Sequence, residues 1–212
     1  MAILLENITK SYKGKEIFKD FNISFNEGAI TCILGPSGCG KTTLLNIIGG
    51  IVKPDKGALH GLDGKCFSYI FQEPRLLPWK TVRENIEFVL DIKIPISKRK
   101  EITNLLLNKI ELSDFAEYYP SQLSGGMRQR VSIARAFACK SDIILMDEPL
   151  NGLDSELKKN MVEWFAQIWK EDKRTVIFVT HDIYEANMLG NHVYCFSKAP
   201  VSIISEKEIN KP

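Results

Sequence analysis

The chain has 212 residues, 44% hydrophobic and 25% charged, which is typical of one α/β domain with a sizeable core. Its formal net charge of +2 argues against a nucleic-acid-binding surface, and no apolar run reaches the roughly 18 residues of a membrane span. The five cysteines are scattered without C-x-x-C spacing, a pattern that favours reduced thiols in a cytosolic protein over a disulfide framework or a zinc site.

The N-terminal part of the chain predicts strands followed by a glycine-rich turn. The segments "AILLENI" and "FNISF" flank a turn around "YKGKE" and are expected to be antiparallel strands. Residues 29–34, "AITCIL", are almost all apolar, as in a strand that is buried on both faces. After the turn, "KTTLLNIIGG" predicts a helix that two glycines close.

The rest of the chain alternates between helical and strand patterns. A mostly helical stretch covers about residues 75–135, and Ser97 is the expected N-cap of a helix within it. The apolar runs "DIILMD" and "TVIFVT" predict central parallel strands on either side of the helix "SELKKNMVEWFAQIWKED". The polar end, "SEKEINKP", is expected to fray. We therefore predict a single domain, residues 1–212, in which an α/β core with its β subdomain (1–74 and 136–212) carries an inserted helical subdomain (about 75–135).

The strongest motif is "GPSGCGKT" at residues 35–42, which fits G-x-x-x-x-G-K-[ST] between a predicted strand and a predicted helix. Its glycines let backbone N–H groups close around phosphate oxygens. The lysine places a charge on the β- and γ-phosphates, and the threonine hydroxyl after it suits Mg²⁺. We expect a thiol reagent to attack Cys39 and bound nucleotide to protect it. The candidate nucleotide-binding residues are Gly35, Pro36, Ser37, Gly38, Cys39, Gly40, Lys41, Thr42 and Thr43.

Two adjacent acids end the strand in "IILMDEP", at the position where ligands bind in open α/β sheets. Asp147 is expected to hold Mg²⁺ through water, and Glu148 to polarise a water molecule for in-line attack on a γ-phosphate. His181, in "VIFVTHD", ends another predicted central strand, from which it is expected to reach the γ-phosphate. Glu148 and His181 are therefore candidate catalytic residues.

Three further features carry weaker signals. Gln72, in "YIFQEPRLLPW", is an amide that suits Mg²⁺ or a water molecule, and the apolar residues after it are either core or a surface for a partner. Tyr12 either stacks on adenine or has no role there. The stretch "LSGGMRQR" puts a serine and two glycines before a predicted basic helix, which by itself is a weak second anion-binding turn.

Together, and in this order, the motifs resemble those of the nucleotide-binding subunit of an ABC transporter. They are an aromatic Tyr12, a Walker A motif at 35–42, a Q-loop at Gln72, the signature "LSGGMRQR", a Walker B motif "IILMDE", a D-loop ending at Asp154 and a switch histidine, His181. The resemblance covers nearly the whole chain. It implies a P-loop NTPase (RecA-like) α/β core with an N-terminal antiparallel β subdomain and an inserted α-helical signature subdomain.

The resemblance also implies an ATP hydrolase whose cofactors are ATP and Mg²⁺. Its implied Mg²⁺ ligands are Thr42, Gln72 and Asp147, and Gln72 is also an implied catalytic residue. The signature binds the γ-phosphate of ATP held by the other subunit of a head-to-tail homodimer or pseudo-dimer. The implied nucleotide-binding set therefore also includes Ser124, Gly125 and Gly126 of the signature and, from the D-loop, Asp154. The implied partners are transmembrane permease subunits and, indirectly, a substrate-binding protein, with no nucleic acid. The implied location is cytoplasmic, peripheral on the inner face of the cell membrane.

A finer resemblance is to importers of nitrate, sulfonate, taurine and similar small solutes, carried by "FQEPRLLPW" and "FSKAPVSII". The alternatives are an ABC exporter or lipoprotein-release ATPase, and a soluble ABC-type clamp on DNA or ribosomes. Such clamps usually carry long coiled coils or tandem units, which this sequence lacks. The D-loop departs from the family pattern at Asn151 and Gly152, and residues 57–69 look shorter than usual, which predicts a trimmed β subdomain.

Overall fold

The protein is described by a computed structural model that covers residues 2–209. An N-terminal antiparallel sheet contains three strands, in the order β2-β1-β4. Leu5 of the first strand pairs with Ile23 of the second, and both side chains are buried. This pairing confirms the antiparallel strands predicted from the alternating apolar residues. The strands are β1 (Ala2–Tyr12), β2 (Lys15–Asn26) and β4 (Lys56–His60).

A second sheet has six strands, in the order β5-β6-β7-β3-β8-β9. The first five strands in this order form four parallel pairs, and β9 pairs antiparallel with β8. The carboxyl ends of β5, β6, β7 and β3 therefore meet at one edge of the sheet, where open α/β sheets bind their ligands. The strands are β3 (Ile30–Leu34), β5 (Phe67–Ile70), β6 (Ile143–Asp147), β7 (Thr175–Val179), β8 (His192–Phe196) and β9 (Ile203–Glu208).

Six α-helices occupy the described residues: α1 (Lys41–Ile48), α2 (Val82–Glu87), α3 (Ile96–Lys109), α4 (Gly125–Ala138), α5 (Ser155–Asp172) and α6 (Ile183–Leu189). Helix α1 shares one hydrophobic core with both sheets, whereas α2 to α6 share a second core with the other face of the larger sheet. Along β6, Leu145 belongs to the first core and Met146 to the second. The strand is thus buried on both faces, as its unbroken apolar run predicts. No helix among residues 2–209 is long and apolar enough to cross a membrane.

Two local expectations were wrong. Ser97 is not the N-cap of α3, since the helix begins at Ile96 and Pro95 occupies the cap position without a side-chain hydrogen bond. The polar tail does not fray at its start: Ser205 and Glu206 pair with Cys195 and Tyr194 as part of β9. Backbone pairing with β8 holds this strand although its side chains are mostly exposed, a contribution that side-chain pattern does not reveal. The last three residues of the tail lie outside the described residues.

Candidate functional site

The Walker A motif, residues 35–42, forms the phosphate loop that connects β3 to α1, and the loop surrounds the side chain of Lys41. The Lys41 ammonium is buried and donates to the carbonyl oxygens of Gly35, at 2.8 Å, and Pro36, at 3.0 Å. Gly40, the N-cap of α1, has a φ of 125°, and a Cβ atom there would lie only 2.5 Å from Ile17. Only glycine fits this position. The loop therefore presents the N-terminus of α1, with its unpaired amides and positive dipole end, to an anion.

Glu148 follows β6 in a left-handed conformation, with a φ of 46°. Its backbone N–H donates to the carbonyl of Val179 at 2.9 Å, which fixes the residue to the end of β7. The Asn151 amide donates to Glu148 Oε2 at 3.3 Å, and His181 Nδ1 lies 3.3 Å from the same oxygen. A non-glycine residue in this region costs about 1–2 kcal/mol, a strain that clusters at functional sites. Three elements thus aim the carboxylate of Glu148.

Asp147 is the most buried acid of the site, with 3% of its surface exposed. Burial raises the pKa of its carboxyl, as does the charge of Glu148, whereas a hydrogen bond from Thr42 and the charge of Lys41 lower it; the net shift is upward. A bound cation would stabilise the charged form of this buried carboxylate, because it offsets the free-energy cost of removing the carboxylate from water. Together with the Thr42 hydroxyl and the Gln72 amide it forms a hard-oxygen donor set that fits Mg²⁺.

His181 and Gln72 reach the same edge of the larger sheet from their own strands. Thr180, which precedes the histidine, donates its backbone N–H to the carbonyl of Ile33 on β3, at 3.2 Å. The side chain of His181 remains 58% exposed, so its other ring nitrogen can face a ligand. Gln72 follows β5 and is exposed. The parallel strand order therefore brings both residues to the phosphate loop, as predicted for His181 from its position after an apolar run and for Gln72 from the family resemblance.

A cavity of about 520 Å³ joins these parts. A neighbouring cavity of about 600 Å³ shares Thr42, Gln72 and Asn151 with it and adds Asp147. The predicted metal ligands thus lie together where the two cavities meet. The first cavity is lined by Ile17, Ser37, Gly38, Gly40, Lys41, Thr42, Thr43, Gln72, Glu148, Asn151 and His181.

Sequence reasoning missed two residues that line the cavity and misjudged one residue, Cys39, that does not line it. Ile17 lies on β2, far from every motif, and only the close packing at Gly40 places it here. Asn151 was noted as a departure in the D-loop but not as a contact of Glu148. Cys39 is 2% exposed and packs into the core shared with α1. The expectation of an accessible thiol is therefore wrong, because the side chain points away from the cavity that the loop lines.

Several predicted nucleotide-binding residues do not line the cavity within one chain. Ser124 accepts a hydrogen bond from the Met127 N–H at 3.2 Å as the N-cap of α4, which begins at Gly125 and so includes the two glycines that were expected to precede it. Asp154 caps α5 in the same way, through the Leu157 N–H at 2.9 Å. Tyr12, at the end of β1, is 45% exposed. Their roles toward a nucleotide remain predictions, and the roles of the signature and D-loop residues depend on a second copy of the chain.

Comparison with known proteins identifies the family. The ABC transporter family matches residues 18–151. An uncharacterised ABC transporter ATP-binding protein of Methanocaldococcus jannaschii is 40% identical, covering 100% of this chain and 82% of that protein. The nitrate import ATP-binding protein of Synechocystis is 36% identical (100% and 84% covered), and the taurine import ATP-binding protein of Yersinia pestis is 37% identical (94% and 81% covered).

A solved dimeric structure of an ATP-binding cassette in a post-hydrolysis state, bound to ADP and Pi, superposes with a TM-score of 0.85 and 33% identity over 99% of both chains. The chain belongs to the ABC transporter family and is an ATP-hydrolysing cassette with the P-loop NTPase fold. The family assignment and the fold class predicted from the motifs are thereby confirmed.

Replacing Lys41 by alanine should weaken ATP binding by about 10- to 150-fold, because a hydrogen bond to a charged group contributes about 1.5–3 kcal/mol. Titration with a fluorescent ATP analogue measures the change. Lys100→Ala, which removes an exposed lysine from α3, is the control and should bind ATP like the unaltered protein. Equal affinity in both variants would contradict the assignment of the phosphate loop.

Proposed function

We propose that this chain is the ATP-binding subunit of an ABC importer for small solutes of the nitrate, sulfonate or taurine class. The observation that carries the proposal is its similarity, over nearly the whole chain, to nitrate and taurine import ATP-binding proteins. In this role it works as a head-to-tail dimer on the cytoplasmic face of the membrane. Separate permease subunits span the membrane, and a binding protein delivers the solute to them.

The geometry supports separate roles in hydrolysis for the residues around the cavity. Glu148 is the general base: its carboxylate, oriented by Asn151 and His181, takes a proton from the water that attacks the γ-phosphate in line. His181 contacts both the γ-phosphate and the carboxylate of Glu148, so the position of the carboxylate responds to the presence of the γ-phosphate. Gln72, which follows β5, orients the attacking water. Thr42, Asp147 and Gln72 would hold Mg²⁺, which supplies charge neutralisation on the phosphates when bound.

The second anion-binding turn supports the dimer. Ser124 and the following glycines begin α4, a helix of 14 residues, and so present a positive helix end toward an anion. Within one chain this turn does not line the phosphate-loop cavity. A second copy placed head to tail would bring it over the γ-phosphate and would give each nucleotide two binding surfaces. ATP then holds the dimer together, and hydrolysis releases it.

Exposed apolar side chains from the residues after Gln72 through α3 support a membrane partner. The sequence left open whether the residues after Gln72 are core or surface, and the structure contains both: Leu76 packs against the core, whereas Trp79 is 70% exposed. Four more large apolar side chains are exposed from the end of α2 through α3. They are Phe88, Ile92, Ile96 and Leu105. A short permease helix is the partner we infer.

Transport in reconstituted vesicles tests the function. We expect nitrate, taurine or an alkanesulfonate to move toward the side that carries this chain when ATP is supplied there with the permease and binding protein. Trp79→Ser should abolish uptake and co-purification with the permease while the ATPase rate of the subunit alone stays unchanged. Ile204→Ser, at a similarly exposed apolar position on β9, is the matched control. Movement away from this side would instead support the exporter alternative.

A further inference from the structure

A partly buried ion cluster lies behind His181 and joins two helices. Lys158 of α5 places its ammonium 3.1 Å from an Asp182 oxygen and 3.0 Å from a Glu185 oxygen of α6. The side chain of Glu185 is only 3% exposed. A charge buried to this extent needs a partner, and the ammonium of Lys158 supplies it.

The cluster fixes the backbone on both sides of His181. The Thr180 hydroxyl donates to Glu185 at 2.6 Å and accepts the Asp182 N–H at 3.0 Å. The carboxylate of Asp182 in turn accepts the Tyr184 N–H at 2.8 Å, which starts α6. The residues immediately before and after the histidine are therefore each held by a member of the cluster.

The other end of the cluster leads to the turn that contacts Glu148. The backbone N–H of Lys158 donates to the carbonyl of Asp154 at 2.9 Å, within the first turn of α5. That turn follows Asn151, whose amide contacts Glu148. Lys158 is thus the side chain that ties the helix after the Asn151 turn to the segment of His181, and the carboxylate of Glu148 stands between the two.

Stability alone is a weak reason for such a cluster. The desolvation of buried ions often equals or exceeds their attraction, so an apolar pair of similar size would hold two helices at least as well. An ion cluster with directional hydrogen bonds instead fixes one geometry. Its two carboxylates bond to groups on either side of His181, Glu185 to the Thr180 hydroxyl and Asp182 to the Tyr184 N–H, which is where a fixed geometry matters for hydrolysis.

We propose that Lys158, through Asp182 and Glu185, is a positioning residue that holds His181 against the carboxylate of Glu148. The proposal rests on the proposed roles of Glu148 and His181 in hydrolysis. Loosening the cluster lets the imidazole move relative to Glu148, and displacements of about 1 Å at a catalytic group can cost on the order of 100-fold in rate. ATP binding is unaffected, because none of the three cluster residues lines the phosphate-loop cavity.

The test compares Lys158→Met with Lys158→Arg in the full-length chain. We expect Lys158→Met to lower kcat by about 10-fold or more with KM and the ATP dissociation constant unchanged, and Lys158→Arg to restore most of the rate. Lys159→Met, at the exposed neighbouring position, should behave like the unaltered protein. An unchanged kcat in Lys158→Met would overturn the proposal.

Two further variants separate positioning from stability. Lys158→Met/Glu185→Met removes the buried carboxylate of Glu185 together with its partner and leaves only the more exposed carboxylate of Asp182, so it should recover the melting temperature while kcat stays low; recovery of both would show a purely structural role. Asp182→Asn keeps an acceptor for the Tyr184 N–H and should lower kcat without unfolding the chain. Glu148→Gln, run in parallel, reports on the proposed catalytic role of Glu148: an active Glu148→Gln removes that role, whereas an inactive one beside a normal Lys158→Met removes only this inference.

Discussion

Replacing Glu148 by glutamine should leave ATP binding intact and lower the hydrolysis rate by about 100- to 10,000-fold, the usual contribution of a general base. Glutamine keeps the size of the side chain and can still bond to Asn151 and His181, which lie 3.3 Å from one carboxylate oxygen. It cannot accept a proton from water at neutral pH. The variant should therefore bind ATP, fail to cleave it, and accumulate as an ATP-stabilised dimer.

Phosphate release under single-turnover conditions measures the rate, and size-exclusion chromatography with light scattering measures the dimer. Glu163→Gln, which changes an exposed carboxylate on α5, is the matched control and should hydrolyse ATP normally and dissociate afterwards. Turnover of Glu148→Gln within a few-fold of the control would remove Glu148 as the base. If Glu148→Gln were fast, catalysis would not explain the left-handed backbone conformation of Glu148.

The sequence predicts the centre of this fold well because local and tertiary signals agree there. β6 is apolar at every position up to Asp147, and all five of its residues are buried. A strand of this kind is buried on both faces in any α/β sheet, so its acids must emerge at the carboxyl edge. The phosphate loop is equally constrained, since its glycine at position 40 has no room for a side chain.

The contacts that sequence reasoning missed are long-range and chemically ordinary. Ile17 reaches the cavity because β2 packs across Gly40, a contact that no periodicity encodes. Lys158 and Glu185 lie on separate helices, where charged residues are normally assigned to solvent. The strand β9 is held by backbone bonds to β8, to which its polar side chains contribute no pattern. Each of these features depends on tertiary packing.

Replacing Ser124 by arginine should block the ATP-dependent dimer while ATP binding by each chain stays unchanged. The side chain caps α4 through the Met127 N–H and does not line the chain's own cavity. An arginine there would fill the space proposed for the partner's γ-phosphate and would oppose the positive end of the helix. Loss of the cap costs about 0.5–2 kcal/mol, so the variant is expected to remain folded.

Light scattering in the Glu148→Gln background measures the dimer, and Ser97→Arg, which adds the same side chain to the first turn of α3, is the control. A sharper measurement mixes two defective chains. A Ser124→Arg chain keeps its own phosphate loop, and a Lys41→Ala chain keeps its own signature, so the pair retains a single complete composite site. We expect ATP to dimerise the mixture but neither chain alone. ATP hydrolysis by the Ser124→Arg chain as a monomer would show that one chain contains the whole site.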